Sequence, residues 1–194
     1  MGTRGFLGFV VGGELKMTYN HWDSYPESLG VTMLTWATLN RDGANLKPEV
    51  VEQIRALRLV NEDTPPTEAD REALGEFFEQ LIGHTEVGWY ELLRATQGDP
   101  AMALRAGVMI DSHEFALDSL FCEWGYLVDV DAGCFEVYRG FATSLPEHGR
   151  WAGKDATPDS SGYYPIERVW AFGLAEMPTP EEFVKHLEDE GDES

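Results

Sequence analysis

The run Phe6-Leu7-Gly8-Phe9-Val10-Val11-Gly12-Gly13-Glu14-Leu15-Lys16-Met17-Thr18-Tyr19 decides the fold. Its first six residues read as a strand. Gly12 and Gly13 tolerate positive φ and suit a two-residue hairpin turn. Leu15, Met17 and Tyr19 then alternate with Lys16 and Thr18, the period of a half-buried return strand. The hairpin begins almost at residue 4, so the N-terminal end is expected to be tied into a sheet.

The return strand runs directly into Tyr19-Asn20-His21-Trp22-Asp23-Ser24-Tyr25-Pro26, then Glu27-Ser28-Leu29-Gly30. This corner gathers polar and aromatic side chains between a strand and a helix, where α/β-type folds place ligands. Pro26 and Gly30 end the strand, and Leu29, Met33, Leu34 and Trp36 form a helical stripe closed by Arg41-Asp42-Gly43. Pro48 opens a second helix with Val51, Ile54, Leu57 and Val60 on its stripe. Residues 61–66 read as a linker. Thr67 and Asp70 make a helix-start box before a third stripe of Leu74, Phe77, Phe78 and Leu81. Residues 89–96 form a fourth helical piece. Asp99-Pro100 starts a short fifth helix through Ala106.

Strands return at Trp124–Val130 and Cys134–Tyr138 around an Asp131-Ala132-Gly133 turn, and again at Val169–Phe172. Thr179-Pro180-Glu181-Glu182 opens the last helix. Strands, then helices, then strands, then a helix predict an α+β fold: a mostly antiparallel sheet of about five strands with several helices on one face. The organisation expected is a single domain over 1–194. It has a helical insertion at about 47–107, a mobile loop at about 142–164 and an acidic tail at 189–194.

The 194 residues carry 35 acidic against 14 basic side chains, a net charge of −21. A surface of this sign repels phosphate backbones and anionic lipid, which argues against direct nucleic-acid or membrane binding. It also admits the reading of an acidic nucleic-acid mimic that occupies a basic protein. The residues 6–11 are too few for a signal h-region or a membrane span, and Phe6 stands where a myristoylation motif wants Ser or Thr. Two cysteines, Cys122 and Cys134, are expected as reduced cytoplasmic thiols, not as a disulfide.

His21 and Asp23 sit two apart and share a side if the backbone is extended. They could ligate a divalent metal or act as a base and its orienter, with His113 of Asp111-Ser112-His113-Glu114 as a further ligand. The structural alternative is that Asp23 caps the following helix and His21 bonds a neighbour. Ser24 has no nucleophile-elbow context. Arg4 could fork onto a phosphate or carboxylate ligand, or pair with an acid such as Asp23. Asp129-Val130-Asp131-Ala132-Gly133 starts like a calcium loop but lacks most of its oxygens, and reads as a turn. Trp22, Tyr25, Trp36, Tyr126 and Tyr138 could stack on a nucleobase or fill the core. Removal of Met1 would leave Gly2, which cannot serve as an N-terminal nucleophile.

Met1-Gly2-Thr3-Arg4, His21-Trp22-Asp23-Ser24-Tyr25-Pro26 and Leu29-Gly30 resemble a family of small uncharacterised bacterial and phage proteins. Those open with a Met-x-Thr-Arg strand and carry a His-Trp/Phe-Asp-Gly/Ser-Tyr-Pro motif before a helix. Glu123-Trp124-Gly125-Tyr126 and Val137-Tyr138-Arg139-Gly140-Phe141 resemble its strands more loosely. The resemblance implies a phage or prophage setting and a role in binding host machinery or host signalling molecules, without a reaction.

The expectation is therefore a cytoplasmic binding protein. It would capture a nucleotide-like small molecule or inhibit a host defence protein, through Arg4, Tyr19, His21, Trp22, Asp23, Ser24 and Tyr25. No cofactor is expected in that reading, and the oligomeric state is open. The alternatives are a metal-assisted hydrolase built on His21 and Asp23, and the acidic mimic.

Overall fold

The structure is a computed structural model and describes residues 2–79, 87–153 and 156–191. Met1, Leu81 of the third stripe, residues 154–155 of the long loop and residues 192–194 of the acidic tail lie outside the described residues.

Strands β1 (Gly5–Val11) and β2 (Glu14–Asn20) form the predicted hairpin, with Gly12 and Gly13 at φ of 61° and 76°. After a π-helical turn at Pro26–Gly30 comes helix α1 (Val31–Asn40). A two-residue ribbon follows, β3 (Arg41–Asp42) with β4 (Asn45–Leu46), then helix α2 (Pro48–Ala56) with Pro48 in its first turn. Strand β5 (Arg58–Val60) precedes helix α3 (Glu68–Leu74), which Thr67 and Asp70 start with a capping box. Helix α4 (Trp89–Leu92) and helix α5 (Pro100–Ala106) lead to β6 (Val108–Ile110), with Asp99 capping α5 and Gly107 ending it left-handed. Strands β7 (Trp124–Asp129), β8 (Cys134–Arg139) and β9 (Glu167–Gly173) complete the main sheet, and helix α6 (Pro180–Gly191) closes the chain.

The main sheet has five strands in the order β2-β1-β7-β8-β9. All pairings are antiparallel except β1 with β7, which run parallel. Everything between β2 and β7 is the crossover that such a parallel pair requires. Side chains alternate across the sheet with period two. Leu7, Phe9, Tyr126, Val128, Phe135 and Val137 face a core filled by Met33, Leu34, Ala37, Ile54, Phe183 and Leu187 from α1, α2 and α6. Phe6, Leu127 and Tyr138 face the other way, against Ala116, Cys122 and Ile166 from irregular segments. Long helices thus gather on one face, as the element order predicts. Gly125 is needed in β7, because a Cβ there would lie 2.1 Å from the Phe6 ring.

Two expectations change within the insertion. The second helical stripe ends at Ala56, because residues 58–60 leave the helix to pair in parallel with 108–110. Leu57 stays in the main core, whereas Val60 joins a second one with Leu74, Phe77, Trp89, Leu92 and Ile110. Apolar residues three apart fit a helix, and tertiary pairing overrides that local pattern. The third stripe also stops early: α3 ends at Leu74, a 3-10 turn covers Gly75–Phe77, and Phe78 is exposed. No helix among the described residues is long and apolar enough to cross a membrane.

Arg150 fastens the long loop to the sheet. Its guanidinium pairs with the Asp129 carboxylate, and its Nε donates to Glu136 Oε2 at 2.9 Å. Arg168 meets the other oxygen of Glu136 at 3.1 Å, and Tyr138 donates its hydroxyl to Glu136. Glu136 is buried, so these partners offset its lost hydration. Arg150→Ala is expected to lower the unfolding free energy in urea by about 2–4 kcal/mol, since it strips a cation from two buried carboxylates. An unchanged midpoint would contradict this role.

Candidate functional site

Lys16 sits on the outer strand β2 yet is only 3% exposed. Its ammonium donates to the carbonyls of Arg55 and Leu57, each at 2.8 Å, where α2 ends. Those carbonyls have no partner within the helix and carry the negative end of its dipole, so a cation is favoured there. The Ser112 amide donates to the Met17 carbonyl at 3.2 Å, further along the same edge. These bonds dock the insertion against β2 without sealing the seam.

The seam opens into a cleft of about 480 Å³. β2 contributes Thr18 and Tyr19, and Tyr90 comes from α4. The segment after β6 contributes Ser112, Phe115 and Asp118. The Tyr19 and Phe115 rings meet edge to face with centroids 4.9 Å apart, which fixes one aromatic corner. Glu62, Asp111 and Glu114 add carboxylates, and Gln97 adds an amide. Burial, with Asp63 and Glu91 nearby, pushes the Glu62 carboxyl above its usual range. Asp118 Oδ1 is buried and accepts no hydrogen bond among the described residues.

The predicted corner divides into an inner brace and an outer rim. Ser24 is fully buried, which corrects its placement among ligand-binding residues. Its amide donates to the Thr3 carbonyl, its hydroxyl accepts from Asn20 Nδ2 at 2.9 Å, and its carbonyl accepts the Tyr126 hydroxyl. A buried polar corner must be satisfied in this way, and Asn20 and Ser24 satisfy each other. Asp23 adopts a left-handed φ of 53°, a conformation Asp tolerates, and its carbonyl accepts the Leu29 amide at 3.2 Å. That turn throws Trp22 and Tyr25 outward, 50% and 41% exposed. Trp22 and Asp23 border a second, smaller cleft of about 370 Å³ with Arg94, and Gln97 borders both clefts.

His21 lies between these features. Its Nδ1 shares a 2.6 Å hydrogen bond with the Tyr19 hydroxyl, and its ring meets Trp22 edge to face. Burial and the positive charges of Arg94 and Arg4 hold its pKa below the usual histidine value. Among the described residues the Arg4 guanidinium pairs with no acid and lies over the Phe121 ring at 5.0 Å. His113 sits elsewhere, exposed and paired with Asp111 at 2.9 Å. Among the described residues, His21, Asp23 and His113 do not gather as three ligand atoms.

A different trio does gather: Asp129, Cys134 and Glu136 place one ligand atom each within 4.8 Å of one another. Arg150 and Arg168 already supply the positive charge there. Burial and the two carboxylates push the Cys134 thiol up to about 11. The trio is part of a salt-bridge cluster with these two arginines.

No protein-family model matches the chain, and no curated protein or solved structure matches it. The site therefore rests on its geometry.

Of the residues that line this cleft, the sequence singles out Tyr19 beside the corner, whereas Glu62, Tyr90, Phe115 and Asp118 are not among its candidates. They come from segments that meet only when the insertion docks. Two features signal that docking in the sequence: a lysine inside an alternating strand, and an Asp-Ser-His-Glu run that fits no helix or strand. In an NMR pH titration, His21 is expected to have a midpoint below the ordinary histidine range. Arg94→Ala should raise it, because a neighbouring positive charge that disfavours imidazolium is gone. A midpoint unmoved by that substitution would contradict the arrangement.

Proposed function

We propose that this chain is a cytoplasmic binding protein that captures a small ring-bearing molecule in the cleft between β2 and the docked insertion. One observation carries the reading. A concave site of about 480 Å³ lies at the seam of two hydrophobic cores, with Tyr19, Tyr90 and Phe115 in its walls. This is the size and character of sites that enclose drug-sized ligands. Thr18, Ser112 and Gln97 offer hydrogen bonds that can orient a flat ring. The ring of a nucleotide-like molecule suits these walls. The resemblance of the opening segments to bacterial and phage proteins supports a phage or prophage setting, in which the ligand is a host molecule.

A second reading, inhibition of a host protein, is favoured by the rings that face solvent beside the N-terminal end. Trp22 packs on Gly2, and Phe121 lies under Arg4; both rings are about half exposed. Trp, Phe and Arg together make the usual anchors of protein interfaces.

A thermal-shift screen of nucleobases, nucleosides and cyclic nucleotides tests the first reading. A true ligand at a hundredfold excess over its Kd stabilises by about 2.7 kcal/mol and raises Tm by several degrees. Ser112→Trp, which fills the cleft, is expected to abolish that rise. No rise with any compound would discard the nucleotide-like ligand, and a rise that survives Ser112→Trp would discard the cleft as the site. For the second reading, Trp22→Ala with Phe121→Ala should weaken association with a host protein at least tenfold and leave cleft binding intact. An unchanged association would remove that reading.

A further inference from the structure

We propose that the cleft selects organic cations, an amidinium, guanidinium or ammonium head on an aromatic or apolar body, and rejects phosphate-bearing forms of the same body. The proposal rests on the reading of this cleft as the ligand site and adds the chemistry of its ligand.

The first ground is the composition of the walls. Glu62, Asp111, Glu114 and Asp118 border the cleft, and no Lys or Arg side chain among the described residues borders it. Arg94 lines the neighbouring cleft, where it bonds Gln97 and covers the Tyr90 ring. A phosphate entering the larger cleft would meet carboxylates and no counter-charge.

The second ground is a missing partner. At the buried carboxylates of Asp129 and Glu136 the protein supplies guanidinium groups, from Arg150 and Arg168. Asp118 has no such partner. Its Oδ1 is shut off from solvent and accepts nothing among the described residues, although the residue borders an open cleft. A carboxylate oxygen left without a donor is stabilised by positive charge brought beside its group. The raised Glu62 carboxyl, under burial and the nearby Asp63 and Glu91, indicates the same shortage of positive charge.

The third ground is the rings. The faces of Tyr and Phe are electron-rich and attract cations, most strongly where water is excluded. Tyr19 and Phe115 both line the cleft, and their rings stand perpendicular, 4.9 Å apart. A flat amidinium can therefore meet a ring on one side and a carboxylate in its own plane, which is the fork geometry such groups prefer.

Calorimetry on the full chain at physiological salt, with three probes of one shape, tests the proposal: benzamidine, benzamide and benzoate. Benzamidine is expected to bind at least tenfold more tightly than benzamide, and benzoate to give no measurable binding. Asp118→Asn, nearly isosteric, should weaken benzamidine at least tenfold and leave benzamide unchanged. Glu188→Gln makes the same charge change on the exposed side of α6 and should alter neither. Should Asp118→Asn fail to fold, Glu62→Gln carries the same test.

Equal affinity for benzamidine and benzamide, both abolished by Ser112→Trp, would overturn cation selection and leave the cleft as a ligand site. Equal losses with Asp118→Asn and Glu188→Gln would overturn it by assigning the attraction to diffuse surface charge. Benzamidine binding that survives Ser112→Trp, or no binding of any probe, would remove both the selection and the site.

Discussion

The ammonium of Lys16 ties the insertion to the edge of the main sheet, beside the apolar packing of Val50, Ile54, Ala103 and Met109 in the main core. A lysine at the third position of an edge strand would ordinarily extend into water. Here it reaches back under α2 and satisfies the Arg55 and Leu57 carbonyls at the helix end, with Glu14 at 3.3 Å as its counter-ion. Burying such a charge is unfavourable unless it is fully bonded, so the geometry leaves little freedom. The consequence is structural. The insertion must lie along β2, its β5-β6 ribbon must come next to that edge, and the segment after β6 must cross at Ser112. The cleft is the gap left between these fixed points.

The parallel pairing of β1 with β7 works to the same end. It places residues 21–123 in one long crossover, so the first hairpin is finished long before its second neighbour arrives. The Asp131 carboxylate then joins the two hairpin ends by accepting the Gly12 and Gly13 amides at 2.9 and 2.8 Å. Those two amides hold the carboxyl below its usual range. One turn thus locks the register of another.

Much of the fold is legible in the sequence because its signals are local. An apolar run at 6–11, period-two alternation over 15–19, a Gly-Gly turn, prolines in first helical turns and Thr-x-x-acid boxes each act within a few residues, and the elements fall there. The parallel pairing is not legible, since nothing in 5–11 records which strand will lie beside it. Val60 and Leu57 mislead because an apolar spacing of three belongs equally to one helix or to two cores. The corner at 19–25 was half legible. Its composition marks a junction, but a polar residue bonded inward (Ser24) and one turned outward (Trp22) look alike until Asp23 takes its left-handed turn. The cleft walls were the least legible, because Glu62, Tyr90 and Asp118 have no sequence relation to one another.

Charge links these observations. With 35 acids and 14 bases, the placement of each cation matters. Arginines stand beside the buried carboxylates of β7 and β8 and beside His21, and are absent from the described walls of the ring-lined cleft. The account's central claim is that this acidic, ring-lined seam is where the protein meets its ligand. Chemical-shift mapping of benzamidine on isotope-labelled protein tests it most directly. Saturable shifts confined to Thr18, Tyr19, Tyr90, Ser112 and Phe115 are predicted. Shifts that scatter over the acidic surface and grow linearly with concentration would contradict it.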